Sequence, residues 1–189
     1  MLPILLALAF IAILFVIVIA GRPDEFVVSR QTKISAPPEK VFPHVNELRN
    51  WEAWNPWGKM DPNCKMTYEG PPAGVGASYE WAGNNKIGAG RNTITESKPG
   101  ELVRFRLEFF KPMAATNAAE FTFQPDVRQT VVTWTMSGKS NLVSKVFGLV
   151  VNCDKMCGDQ FEKGLAQMKS LVEACINNVE AECQQPNKR

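Results

Sequence analysis

The sequence predicts an α+β domain in which a curved antiparallel sheet grips one long C-terminal helix, with an apolar helix ahead of the domain. Three observations carry this expectation. Between Cys64 and Gly138, short runs suited to strands alternate with Gly, Pro and Asn turns. From Asn152 to Val179 the period changes. Cys157, Phe161, Leu165, Met168, Leu171, Val172, Cys175, Ile176 and Val179 recur at three and four, while Asp159, Glu162, Lys163, Gln167, Lys169, Ser170 and Glu173 take the other side. A two-faced helix of roughly seven turns is marginal alone in water, so it needs a long apolar surface, and the strands supply one. Finally, strands come in a run with the helices set apart, which is the α+β order.

Taken from the start, Leu2 to Ala20 is an apolar run broken only by Pro3. About 19 residues at 1.5 Å each match a bilayer's hydrocarbon core, so the run is predicted to be a retained single-pass transmembrane anchor. Arg22, Arg30, Lys33 and Lys40 follow the run and no basic residue precedes it, which predicts a domain facing the cytoplasm. The alternative is a cleaved signal peptide ending at Val18-Ile19-Ala20, with a periplasmic or secreted domain. The predicted boundaries are residues 1–21 for the anchor, 22–25 for a linker, 26–180 for the domain and 181–189 for a polar tail.

Phe26 to Ile34 is rich in β-branched residues and reads as a first strand. Pro37 and Pro38 then suit the first positions of a helix carrying Val41, Phe42, Val45 and Leu48 at helical spacing. A second short helix ends before Pro56 and brings Trp51 and Trp54, with Trp57 just beyond. These indoles either rim a pocket or plug the open end of a small core, and each brings an N–H that needs a partner.

The strands follow at Cys64 to Tyr68, Ala77 to Trp81, Gly90 to Ser97, Glu101 to Phe110, around Phe121 and around Trp134. The alternation is cleanest in Glu101 to Phe110, where Val103, Phe105, Leu107 and Phe109 share one face and Arg104, Arg106 and Glu108 the other. Ala119, Phe121 and Phe123 continue the apolar face after a bend at Pro112 to Asn117, and Val132, Trp134 and Met136 repeat it. Leu142, Val143, Val146, Phe147 and Val150 open the last helical region behind Ser140, a possible cap. Gly158 and Gly164 interrupt the long helix at a cost of about 1 kcal/mol each relative to Ala, either to leave room for a guest or to allow close helix-to-sheet contact.

A net charge of +2 offers no nucleic-acid surface, and no nucleic-acid partner is expected. Five cysteines (Cys64, Cys153, Cys157, Cys175 and Cys183) form no CxxC pair and make poor material for a disulfide framework. Cys153 and Cys157 lie one helical turn apart, but a tetrahedral site needs more donors and His44 is the single histidine, so neither metal nor cofactor is expected. The glycines of Gly70 to Gly76 precede no helix and form no phosphate cradle.

The element order, together with Ile34-Ser35-Ala36-Pro37-Pro38-Glu39-Lys40-Val41-Phe42, Trp51-Glu52-Ala53-Trp54-Asn55-Pro56 and Gly158-Asp159-Gln160-Phe161-Glu162-Lys163-Gly164-Leu165, resembles the START-like SRPBCC superfamily. Within it the chain is similar to the polyketide cyclase/dehydrase and lipid-transport family over roughly Glu25 to Ala174. The resemblance implies a helix-grip fold with a cavity between sheet and long helix, used by relatives for lipids, sterols and polyketides. It supplies no catalytic motif, and the site must decide the function.

An aldol-type cyclase needs a general base and donors for an enolate oxygen. His44 is the one side chain with an ordinary pKa near neutrality, and its place between Pro43 and Val45 suits a helix contact better than catalysis. Arg30, Arg91, Tyr79 and Glu120 are polar strand residues that a one-residue change of phase would turn inward. No catalytic residue is assigned. A binding module needs only an apolar cavity with a few polar groups. Its predicted wall takes Tyr79, Trp81, Phe105, Phe109, Phe121 and Phe123 from the strands, then Trp134 and Met136. Phe161, Gly164 and Met168 complete it from the helix. The expected function is binding of a small hydrophobic ligand by a membrane-anchored domain. A cyclase or dehydratase and a membrane-tethered protein-interaction domain are the alternatives.

Overall fold

The computed structural model describes residues 2–140, 142–149 and 152–184. After helix α1 (Leu2–Ala20) come strand β1 (Glu25–Ile34) and the short helices α2 (Pro38–Val41), α3 (Pro43–Asn46) and α4 (Trp51–Trp54). A 3₁₀ turn covers Leu48–Asn50 and another Pro56–Met60. Then follow β2 (Lys65–Glu69), β3 (Ser78–Ala82), β4 (Ala89–Lys98), β5 (Leu102–Lys111), β6 (Ala115–Asp126) and β7 (Gln129–Lys139). Helix α5 (Leu142–Phe147) precedes α6 (Cys153–Gln184).

All seven strands form one antiparallel sheet in the order β1-β7-β6-β5-β4-β3-β2. The first strand therefore closes against the last, and the pairing between them runs from Glu25 opposite Lys139 to Ile34 opposite Thr130. Register shifts at Ala89/Gly90 and Ile94/Glu96 bend β4, as bulges do, and help the sheet curl. Helix α6 lies on the concave side, against β1, β7 and α4. This is the helix-grip arrangement of an α+β domain.

The alternation read from the sequence sets the inner face. Val103 and Phe105 of β5, Phe121 and Phe123 of β6, and Val132 and Trp134 of β7 are buried, and from α6 Phe161, Leu165, Met168 and Val172 meet them. Pro38 and Pro43 stand at the first positions of α2 and α3, where a missing N–H costs nothing. Trp51 and Trp54 are buried, and their indole N–H groups donate to the carbonyls of Val45 and His44 at 2.9 Å each. The two rings plug the core, and Trp57 remains half-buried beside it.

The bend placed at Pro112 to Asn117 is shorter than expected. Strand β6 already pairs at Ala115 with Phe109, so only residues 112–114 turn. The last helical region is two helices, α5 and α6. Val150, the side chains of Val143, Phe147, Cys153, Val179 and Cys183, and residues 185–189 of the polar tail lie outside the described residues.

The expected membrane anchor requires correction. Among the described residues no helix is long and apolar enough to cross a membrane, which overturns a single-pass membrane location with a cytoplasmic domain. The last turn is also engaged by the domain: Ile19 is buried, α1 touches α5, and the Arg22 guanidinium donates to the Gly148 carbonyl at 3.2 Å.

Candidate functional site

Toward the β2 end of the sheet, the space between sheet and α6 is not filled. A cavity of about 560 Å³ opens there. Its floor is the inner face of six strands, with Met66 from β2, Tyr79 and Trp81 from β3, Asn92 from β4, Leu107 and Phe109 from β5, Ala119 from β6 and Trp134 and Met136 from β7. Met156, Cys157 and Phe161 of α6 form one side, and the segment from Asn55 to Pro62 forms the roof. Trp57 hangs from that roof, edge-on to Trp134 at 5.6 Å and to Phe161 at 6.0 Å. The exposed residues Gly58, Lys59, Lys86, Lys111 and Pro112 make the rim.

Local chemistry fixes this roof. Asn55 accepts a hydrogen bond from the backbone of Trp57 and caps the 3₁₀ turn that Pro56 opens. Asp61 is buried and accepts from the backbone N–H groups of Asn63 at 3.0 Å and Asn84 at 2.7 Å, which ties the roof to the β3–β4 turn. Across the cavity the first turns of α6 are held by Arg30, whose guanidinium donates to Asp154 and Glu162. A Cβ on Gly158 would fall 2.1 Å from that guanidinium. Arg30 therefore occupies the room left by the glycine.

Two protic groups on the cavity wall, Tyr79 and Cys64, are held to their protons more tightly than in water. Burial pushes the Tyr79 phenol above its ordinary range, against a hydrogen bond from the Asn92 side chain that lowers it. Burial and the nearby Asp61 carboxylate raise the Cys64 thiol. Neither side chain is ionised to serve as a base there. At the edge of the site Tyr68 donates to Glu52 at 2.6 Å, and burial first, then that partner, pushes its phenol up as well. His44 lies outside the cavity lining, and burial lowers its pKa. Among the described residues no three His, Cys, Asp or Glu side chains are placed to hold a metal ion.

Of the residues expected at the wall, Tyr79, Trp81, Phe109, Trp134, Met136 and Phe161 line the cavity. Phe105, Phe121, Phe123 and Met168 are buried in the filled part of the core instead. Gly164 faces neither space nor ligand, since a Cβ there would come 3.0 Å from Trp134 and 3.1 Å from Pro56. Arg91 and Glu120 stay on the outer face, Arg91 paired with Glu80 and Glu120 with Arg104, while Arg30 faces α6. Sequence reasoning left Met66, Asn92, Leu107, Ala119 and most of the roof out of the predicted wall. Asn92 had a signal: it shares parity with Gly90 and Ile94 on β4, a polar side chain at a buried position. Of the roof, the local pattern marked only Trp57, as an indole at a pocket rim or in a core plug, because the place of the rest depends on the strands it crosses.

Sheet, gripped helix and internal cavity together define a START-like domain of the SRPBCC type. The chain belongs to the family described as polyketide cyclase / dehydrase and lipid transport, whose family model matches residues 25–173. Among solved structures it is similar to protein CV1439 from Chromobacterium violaceum, at 18% identity and a TM-score of 0.57, covering 80% of this chain and 99% of that one. It is also similar to CalU16 from Micromonospora echinospora, at 10% identity and a TM-score of 0.51, covering 84% and 90%. DynU16, from the dynemicin biosynthetic locus, shares 15% identity with a TM-score of 0.55 over 80% of this chain and 48% of its own. At these identities the likeness is one of fold. A comparison with curated proteins returns no match. The family and the cavity make this a fold for hydrophobic ligands.

Proposed function

We propose that the chain binds a small hydrophobic molecule, lipid-like or polyketide-like, in the cavity between the sheet, the Asn55 to Pro62 roof and the first turns of α6. The observation that carries this reading is the hollow itself: about 560 Å³ walled largely by Trp57, Trp81, Leu107, Phe109, Trp134 and Met136. Interiors are otherwise packed to crystal density, so a void of this size forfeits contacts unless something occupies it. Its volume falls within the range of small-molecule sites, and its wall is apolar with few polar groups, as such sites are. The rim lysines leave an entrance that an apolar chain or ring can pass.

Calorimetric titration of full-length protein with 1-methoxynaphthalene tests the reading. Saturable one-site binding is expected, weakened at least about tenfold by Ala119→Phe, which places a ring in the hollow. Absence of saturable binding, or equal binding by the variant, would sink it.

A further inference from the structure

Three loops meet at the mouth of the cavity, and each brings a lysine. Lys59 belongs to the roof, Lys86 to the β3–β4 turn of residues 83–88, and Lys111 ends β5 beside the turn of residues 112–114. These loops hold one another. Asn84 donates its backbone N–H to Asp61 at 2.7 Å, which joins the β3–β4 turn to the roof, and Lys111 pairs with Ala89 where that turn ends. Gly88, at a φ of 64°, packs so tightly on the Lys111 carbonyl that a Cβ there would overlap it. All three lysines are exposed and line the cavity.

Their charges are left over. Lys59 donates to the neutral side chain of Gln167 at 3.0 Å, and among the described residues the ammonium groups of Lys86 and Lys111 meet no partner. The same strands treat their other cations differently: on the outer face Arg91 pairs with Glu80, Arg104 with Glu120 and Arg106 with Glu108. The two carboxylates of the lining form no ion pair with the lysines, since Glu52 accepts from the Tyr68 hydroxyl and both Asp61 oxygens accept backbone N–H groups. Inside the mouth the wall turns apolar, with Trp81, Leu107 and Phe109. An ion carried onto that wall would lose its water without gaining a partner, whereas at the mouth it keeps water and meets cations.

We infer that the guest of this cavity is an anionic amphiphile, with its apolar body inside and its anionic head group at the mouth, where Lys86 and Lys111 bind it. The inference rests on the cavity being a ligand site and adds which end of the guest faces out and what charge that end carries. Exposed ion pairs are weak one at a time, so the two lysines select between charged and neutral guests while the apolar wall supplies most of the affinity. Salt should weaken that selection, because both lysines stand in water.

The test compares 1-naphthylacetate with 1-naphthylacetamide, which share a shape and differ in charge, by calorimetric titration of full-length protein near neutral pH. Wild type is expected to bind the acid about fivefold more tightly at about 20 mM salt and less than about twofold more tightly at about 500 mM. Lys86→Glu/Lys111→Glu should reverse the low-salt preference by weakening the acid alone, since both positions are exposed and the apolar wall is untouched. Lys40→Glu/Arg128→Glu makes the same change of net charge in α2 and the β6–β7 turn, where neither residue lines the cavity, and should keep the preference. Equal binding of acid and amide by wild type would leave the cavity a ligand site and overturn the anionic head group. A preference that survives in the mouth variant, or that the distant variant loses as fully, overturns the assignment to Lys86 and Lys111. Failure of wild type to bind either probe removes the ligand site and the head-group contact together.

Discussion

The two ends of the gripped interior are built from the same strands and the same helix, yet one is solid and the other hollow. Strand β5 gives Val103 and Phe105 to the solid end and Leu107 and Phe109 to the cavity. Strand β6 gives Phe121 and Phe123 to one and Ala119 to the other, and α6 gives Leu165, Met168 and Val172 against Met156, Cys157 and Phe161. What differs is the layer above. At the solid end Val41, Val45, Leu48, Trp51 and Trp54 descend from the short helices into the sheet. Trp51 alone meets the rings of Phe105, Phe121 and Trp134 within 6.1 Å. At the hollow end a roof of one 3₁₀ turn and a loop spans the gap, carrying a single large ring, Trp57. Strand alternation decides which side chains face inward, and the crossing segments decide whether that interior is full.

Mutations that delete volume should separate the ends most sharply. Phe121→Ala, in the solid end, should cost about 3–5 kcal/mol in denaturant melts, and Leu165→Ala about 2–5. Leu107→Ala, whose side chain is half-buried and borders the cavity, should cost about 1–2 kcal/mol, because less apolar area leaves water there. Equal costs at the two ends would show that the cavity is packed in solution.

Gly164 offers a finer cut. Its missing Cβ is the space in which Trp134 and Pro56 sit, so Gly164→Ala should destabilise by about 1 kcal/mol despite its better helix propensity. A gain in stability would mean that α6 rides farther from the sheet.

The clamp at the start of α6 gives a pH signature. The Arg30 guanidinium holds the Asp154 carboxyl below its ordinary 3.8. A folded pKa below the unfolded one contributes stability that is complete above the ordinary value and is lost as pH falls through the folded one. The stability difference between wild type and Arg30→Met should therefore be constant near neutrality and shrink in acid below that value. A difference that does not change with pH would mean that Arg30 acts by packing alone. The smallest expected effect lies outside both ends. Val127 is fully exposed at a φ of 54° in the β6–β7 turn, a conformation that strains a β-branched residue, so Val127→Gly should stabilise by about 1 kcal/mol.

Much of the fold was legible because period and parity are local. The β5 alternation and the three-and-four spacing of α6 set which faces turn inward before any tertiary contact is known. The site was legible only in part. Tyr79, Trp81, Phe109, Trp134, Met136 and Phe161 line the hollow, while Phe105, Phe121, Phe123 and Met168 have the same inward parity in the filled part. Parity cannot distinguish them, since the filling comes from Trp51 and Trp54, distant in sequence. Gly158 and Gly164 were ambiguous for a related reason: a glycine shows that a side chain is missing, and only the fold shows that Arg30 takes one space and Trp134 with Pro56 the other. The apolar character of α1 was plain, whereas the burial of Ile19 and the contact of α1 with α5 rest on neighbours no local pattern encodes.

The contrast between ends is tested most directly by adding a ring to each. Val132 is buried in the solid end and Ala119 lines the cavity, and both side chains face inward. Paired denaturant melts of Val132→Phe and Ala119→Phe should show a loss of about 3 kcal/mol or more for the first and a change within about 1 kcal/mol for the second, whose ring enters open space. Equal, large losses at both positions would contradict a hollow interior and, with it, the account of this chain as a container for a hydrophobic guest.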